Sequence, residues 1–356
     1  NNLFCMKHLF IISQLLFLYS CCNKPESTIR IWNYDDFIKK DVKMSDIADE
    51  MTIIQPDSID YKGARIVHAS SFFLAGTEQG ILKYNNQGHF IGRIGAIGQG
   101  PGEYSRFYAM AINETERIIY VYRMNTSELL SFSYEGTFLN KHSLQLPKKW
   151  AWSFYYLKDK FYFYYCVDAD NESQPYMYAI TDTMGNLLSS KRDESLHFAS
   201  GSYPSFPSDH LGIYGDTMLV WSQYSDTIYR VSEKEEEAFA IWGEWDKRLT
   251  PAKVENDAYE QSMIISTIVE TVHYYLCIWR PAGIMWNQWN YCFYDKSSGK
   301  LFNSEGITDD LWGLPSIFPY NYYVMDGREY LECGYPTYKL LDAWLTSDDP
   351  KITKAS

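Results

Sequence analysis

Along most of the chain, short apolar runs alternate with polar residues and break at turns that carry glycine. Four segments read as strand, tight turn, strand: ILKYNNQGHFIGRI (81–94), LLSFSYEGTFLNKH (129–142), MYAITDTMGNLLSS (177–190) and NYCFYDKSSGKLFNS (290–304). Period-two alternation flanking a Gly turn is the hairpin signature. The turn glycines, Gly88, Gly136, Gly185 and Gly299, stand 48, 49 and 114 residues apart. A further 49 residues from Gly185 fall at Lys234, inside DTIYRVSEKEEEAFAIW (226–242), a fifth hairpin turning on Glu and Lys. The remaining interval of 65 leaves about 16 extra residues, and TPAKVENDAYEQSMI (250–264) predicts a helix there. Thr250 is placed to cap that helix and Pro251 to open it.

A repeat of 45 to 50 residues containing two hairpins is what a β-propeller blade requires. A four-stranded blade cannot bury both faces alone, so blades stack around an axis and fill the wedges between them with large side chains. The composition agrees: 31 Tyr, 19 Phe and 11 Trp make 17% of 356 residues, and aromatic residues favour strands. The fold class read from the sequence is therefore all-β, a six-bladed β-propeller over residues 31–356 with one short helical insertion; seven blades is the alternative count. The sixth blade is assembled from FPYNYYVMDGREYLECG (318–334) and an early strand near Asp49 to Ile54.

Charge narrows the function. Lys plus Arg number 32 against 45 Asp plus Glu, a net charge of −13. Nucleic-acid affinity rests on cationic contacts to phosphate, so nucleic acid is excluded as a partner. Seven Cys show no metal-ligand spacing, and Cys166, Cys277 and Cys292 lie in aromatic strand-like runs that predict buried free thiols.

The N-terminal stretch reads as an export address. Met6-Lys7-His8 precede an apolar run from Leu9 to Tyr19, too short to span a bilayer and suited to a signal peptide over residues 1–20. The run ends in Leu18-Tyr19-Ser20-Cys21, which resembles a bacterial lipobox with Cys21 as the lipidated residue; Tyr19 is bulkier than usual there. Residues 21–30 then form a lipidated tether. The expected location is the cell envelope, on the outer membrane or its periplasmic face, with the membrane touched only through the lipid.

Two further segments carry a resemblance. IGRIGAIGQGPGEY (91–104) and YSDTIYRV (224–231) are similar to motifs of the six-bladed β-propeller lipoproteins of Gram-negative gut anaerobes, a TolB-like architecture. The resemblance spans roughly residues 30 to 345 and implies fold and address; it implies little chemistry.

Propeller topology sorts the loops. The Gly turns share one rim with the tight connections. The opposite rim receives the long segments 95–106, 143–150, 191–212, 243–271 and 304–317, together with 168–175 and 280–289. Long varied loops on one face of a rigid scaffold point to a functional face. Trp and Tyr rings serve there as platforms for sugars and as interface anchors. The candidate ligand-binding residues are Trp150, Trp152, Arg280, Trp286, Trp289 and Trp312, with a glycan, a peptide or an envelope protein as partner. GQGPGE (98–103) lacks the Lys-Ser/Thr ending of a phosphate loop, so its glycines serve a tight blade-to-blade crossing in which Glu103 accepts backbone donors. No cofactor is required. Ca²⁺ at Asp168-Ala169-Asp170-Asn171-Glu172 is the one cation candidate, and its spacing departs from the EF-hand loop. Catalytic signatures such as G-x-S-x-G and H-E-x-x-H are absent from the sequence. The expectation is a non-catalytic binding module, and the alternative is a metal-dependent lactonase- or lyase-like enzyme using the central channel.

Overall fold

The alternating segments form antiparallel sheets ranged side by side in the computed structural model of the chain. It describes residues 30–33, 36–57, 65–106, 108–165, 176–193, 213–242, 247–283, 290–311, 319–325 and 327–333. A strap comes first: β1 (Arg30–Trp32), β2 (Ile38–Lys39) and β3 (Val42–Lys43). Blade 1 holds β4 (Arg65–Ala69), β5 (Phe72–Thr77), β6 (Gly80–Asn85) and β7 (Phe90–Ile94). A crossing pair follows, β8 (Ala96–Ile97) and β9 (Glu103–Tyr104). Blade 2 holds β10 (Tyr108–Asn113), β11 (Ile118–Arg123), β12 (Glu128–Ser133) and β13 (Phe138–Ser143). Blade 3 holds β14 (Ser153–Leu157), β15 (Lys160–Tyr164), β16 (Tyr176–Asp182) and β17 (Leu187–Arg192). Blade 4 holds β18 (Ile213–Tyr214), β19 (Thr217–Val220), β20 (Thr227–Val231) and β21 (Glu236–Trp242). After helix α1 (Pro251–Glu255), blade 5 holds β22 (Met263–Glu270), β23 (Tyr274–Pro281), β24 (Asn290–Asp295) and β25 (Leu301–Ser304). The short β26 (Ile307–Thr308) and the hairpin β27 (Pro319–Met325) and β28 (Arg328–Cys333) complete the described strands.

The architecture is thus an all-β propeller of five blades, not the expected six. The segment 318–334 does form a hairpin, and β27 touches both β22 of blade 5 and β4 of blade 1, so it lies between the last blade and the first. Among the described residues it is two-stranded, because the early strand expected near Asp49 to Ile54 does not form. Residues 49–57 form no strand, and the strap spends its pairing capacity on other blades. β1 runs parallel to β21 on the outer edge of blade 4, β2 parallel to β25 on that of blade 5, and β3 parallel to β26. On the hairpin, the His68 ring of β4 stacks on Tyr323 with centroids 3.8 Å apart, and its Nε2 lies 3.2 Å from Glu332 Oε2.

Wedges between blades hold the core. Blades 1 and 2 enclose Phe72, Leu74, Tyr104, Val121 and Phe132; blades 2 and 3 enclose Tyr122, Phe154, Phe161 and Phe163. A larger cluster joins blades 3, 4 and 5 through Tyr162, Trp221, Phe239 and Trp279 and takes in Trp32 of the strap. Each ring removes ~150–250 Å² from water, which at about 25 cal/mol per Å² makes aromatic content the chief stabiliser of the stack.

The GQGPGE run makes the crossing from blade 1 to blade 2. Glu103 Oε2 accepts the Gly100 amide at 2.6 Å, and a Cβ on Gly98 would stand 2.1 Å from that same oxygen. Tyr104 follows, with its hydroxyl donating to Ile94 O and accepting from Ile81 N. The inserted helix is shorter than 250–264. Thr250 caps it, accepting from Lys253 N, but it ends at Glu255, Asp257 adopts a φ of 53°, and β22 begins at Met263.

Candidate functional site

A cleft of about 570 Å³ opens between blades 3 and 4 at the rim expected to carry function. It is built from the start of β16, the end of β17 and the start of β20. The β16–β17 register sets Tyr176 opposite Arg192. The guanidinium therefore lies over the Tyr176 ring at 5.5 Å, and its Nε donates to the phenol oxygen at 3.3 Å. Lys191 crosses to blade 4, with Nζ 4.1 Å from the Tyr229 ring centroid and 2.5 Å from Glu236 Oε1. Tyr178 donates to the other oxygen of Glu236 at 2.6 Å, and burial together with that carboxylate pushes the phenol pKa up. Glu236 thereby ties the two blades, beside the ion pairs Lys160–Glu233 and Lys158–Asp216.

The far wall is the run YSDTIYRV. Tyr224 is buried with Leu249 and Ile264 and fixes the strand start. Ser225, Asp226, Thr227 and Tyr229 then face the cleft. Thr227 donates to Asp226 Oδ1 at 2.7 Å, and Arg248 lies 3.8 Å from Oδ2. With Asp193 opposite, the lining carries two cations, two carboxylates, two phenols and the hydroxyls of Ser190, Ser225 and Thr227. Its formal charges cancel. Such a surface alternates hydrogen-bond donors and acceptors beside aromatic rings, a combination suited to a polar, hydroxyl-rich ligand; its volume falls within the range of small-molecule sites.

Of the sequence-derived candidates, the three that are described, Trp150, Trp152 and Arg280, do not line this cleft. Trp150 is 46% exposed at the crossing from blade 2 to blade 3, with a φ of 65°. Trp152 is half-buried against the core of blades 3 to 5, with the Arg65 guanidinium 5.7 Å from its ring. Arg280 is only 8% exposed; its Nη1 donates to Pro281 O, and burial lowers its pKa. Trp286, Trp289 and Trp312 lie outside the described residues, as do Asp168 to Glu172 and Cys166. Cys277 and Cys292 are buried free thiols opposite one another on β23 and β24. Among the described residues no group of three or more His, Cys, Asp or Glu is placed to hold a metal ion.

Sequence reasoning missed the cleft because its two walls come from different blades, residues 176–193 and 225–229, and look ordinary singly. The signal available was YSDTIYRV, which supplies one wall. A second feature also escaped it. On the tight-turn rim the carboxylate of Glu270, 4% exposed, accepts Arg230 Nη2 at 2.8 and 3.0 Å and Lys296 Nζ at 2.9 Å, while Tyr275 accepts the same Arg230 nitrogen at 3.0 Å. Burial works against the charge on Arg230, but Glu270 and Tyr275 outweigh it and its pKa is raised. This buried network binds blades 4 and 5, and removing one partner from such a pair is costly.

Residues 29–355 match the family model described as Domain of unknown function (DUF4934). No curated protein matches the sequence. Among solved structures, the chain is similar to a Bacteroides fragilis protein named as exported: TM-score 0.65, 15% identity, covering 92% of this chain and 95% of that one. It is also similar to a member of the DUF4221 family from Bacteroides vulgatus: TM-score 0.50, 9% identity, covering 75% of this chain and 86% of that one. These likenesses agree on a propeller fold.

Proposed function

The chain belongs to the family described as Domain of unknown function (DUF4934), and from that premise we propose that it is an exported, non-catalytic binding module of the cell envelope. Its recognition site is the cleft between blades 3 and 4, its ligand a glycan, and Cys21 carries the lipid that holds it at the membrane. The observation that carries the reading is the cleft itself. Tyr176 and Tyr229 offer ring surface, Asp193 and Asp226 accept hydroxyl protons, and Lys191 and Arg192 donate to sugar oxygens. A scaffold held by wedge packing keeps these groups in place, so little ordering cost falls on binding. The address rests on the apolar run ending at Cys21, and the exported-protein name of the Bacteroides fragilis neighbour accords with it.

The test is titration calorimetry of the full chain against a panel of soluble oligosaccharides, with Tyr229→Ala and Asp226→Ala beside it. Each substitution removes one contact of the cleft and is expected to weaken the best ligand by about tenfold, or 1.4 kcal/mol. A panel without a saturable binder, or one whose binder is indifferent to both substitutions, would overturn the assignment.

A further inference from the structure

Blade 5 places two thiols face to face. The register of β23 and β24 sets Cys277 directly opposite Cys292, with no irregularity from Tyr274 to Trp279. Both side chains leave the sheet on one side, since both belong to the cluster that joins blades 3, 4 and 5. Their neighbours Leu276, Ile278, Tyr291 and Phe293 point to the other side, into the cluster against which Cys333 packs. Cys333 is the third free cysteine among the described residues, and the sheet itself screens it from the pair.

Opposite residues of an antiparallel pair keep their Cα atoms about 4.5–5.5 Å apart, inside the span of about 4.4–6.8 Å that a disulfide covers. Their Cβ atoms stand about 4.5–5.5 Å apart, where a disulfide holds them at about 3.5–4.5 Å. A bridge here therefore draws the two strands inward, and that tension makes it easier to reduce. Few contacts hold the sulfurs otherwise. Cys292 Sγ accepts Trp279 Nε1–H at 3.1 Å, which a disulfide sulfur can also do, and its own proton reaches Asn303 Oδ1 at 3.8 Å. Burial pushes both thiols up, with Cys292 adding to the rise at Cys277. Neither is a thiolate in the finished blade, so oxidation belongs to folding, before this face of the sheet is covered.

We propose that Cys277 and Cys292 are joined by a reducible cross-strand disulfide in the exported protein, and that the two free thiols are its reduced state. The oxidant is a thiol oxidoreductase that carries a disulfide of its own. The thiolate of one cysteine attacks that disulfide, forming a mixed disulfide and releasing one enzyme thiolate. The second cysteine attacks the mixed disulfide, the Cys277–Cys292 bond forms, and the enzyme leaves as a dithiol with the two electrons and two protons. The bridge closes a covalent loop over residues 278–291, the connection from β23 to β24, which narrows the unfolded ensemble and so stabilises blade 5. Export, as read above, supplies the oxidising compartment; neither the cleft between blades 3 and 4 nor its ligand is needed.

The experiment recovers the full chain from the cell-envelope fraction of its expression host. N-ethylmaleimide is added at harvest and again after denaturation, and the protein is digested with trypsin for mass spectrometry. Arg280 precedes Pro281, a bond trypsin leaves intact, so one fragment carries both cysteines. That fragment is expected to lack two hydrogens and to take no maleimide until it is reduced. Dithiothreitol is expected to lower the melting temperature of the wild type by a few degrees and to leave Cys277→Ala/Cys292→Ala unmoved. Maleimide on both residues, or a bridge from either of them to Cys333, would overturn the proposal. If the chain is missing from the envelope fraction, the export reading fails on its own. The same fragment is then read from protein refolded out of urea in oxidised and reduced glutathione, where a bridge upholds the pairing and two alkylated cysteines overturn it. The mass readout uses the wild type, so it stands even where a variant fails to fold.

Discussion

Asp295 shows how much one side chain can organise. Its Oδ1 accepts the Ser297 amide at 2.8 Å and the Ser297 hydroxyl at 2.7 Å, and its Oδ2 accepts the Ser298 hydroxyl at 2.9 Å. These donors, the Ser297 hydroxyl first, hold the carboxyl at a pKa of about 2, against an ordinary value near 4. Because the folded value is the lower one, the stabilisation is complete above about pH 4 and fades as pH falls through about 2. The stability difference between the wild type and Asp295→Asn should therefore be constant at neutral pH and shrink below pH ~4, as read from acid-dependent thermal melts. A difference that ignores pH would refute the assignment. The sequence marked Asp295-Lys296-Ser297-Ser298-Gly299 as a turn, but nothing in it told that Lys296 would reach Glu270. That contact depends on where two loops of one blade come to rest, and pairwise spacing carries no such information.

At the scale of elements, the turn glycines do more than permit a tight reversal. Gly185 sits at a φ of 88°, and a Cβ there would stand 2.6 Å from Ser143 O on the outer strand of the preceding blade. Gly136 meets Arg93 O in the same way at 2.7 Å. Gly215 has a φ of 62° but open space around it. Gly215→Ala then costs only the backbone preference, about 1–2 kcal/mol, whereas Gly185→Ala adds a backbone collision and should lower the melting temperature several degrees further. Equal losses would mean that blade contact plays no part. The hairpins, their turns and the crossing at GQGPGE were legible because each is local: alternation, a glycine and a nearby acid. The length of α1 was less so. Thr250 and Pro251 announce its start, and it stops at an Asn256 cap followed by Asp257 in the left-handed region, a weaker signal than a glycine.

For the molecule as a whole, the error in blade count and the strap have one origin. Short segments such as Arg30–Trp32 and Ile38–Lys39 carry too little pattern to reveal which edge they will join, and the early strand expected for a sixth blade near Asp49 to Ile54 does not form. Their seat on blades 4 and 5 bears on anchoring. Arg30 follows Cys21 by nine residue steps, a reach of roughly 30 Å when extended, so a lipid at Cys21 would keep the outer edge of blade 4 close to the bilayer. Cys21→Ala should move the protein from the membrane fraction to the soluble one, as fractionation and immunoblotting would show; retention would refute lipid anchoring. The strap also imposes an order of events. Arg30 pairs with Ala240 and Ile38 with Phe302, so the earliest strands find their places only after blades 4 and 5 exist. Contacts of such sequence separation are slow to form. Until they do, β21 keeps an unpaired edge, and the nascent protein passes through a stage prone to aggregation.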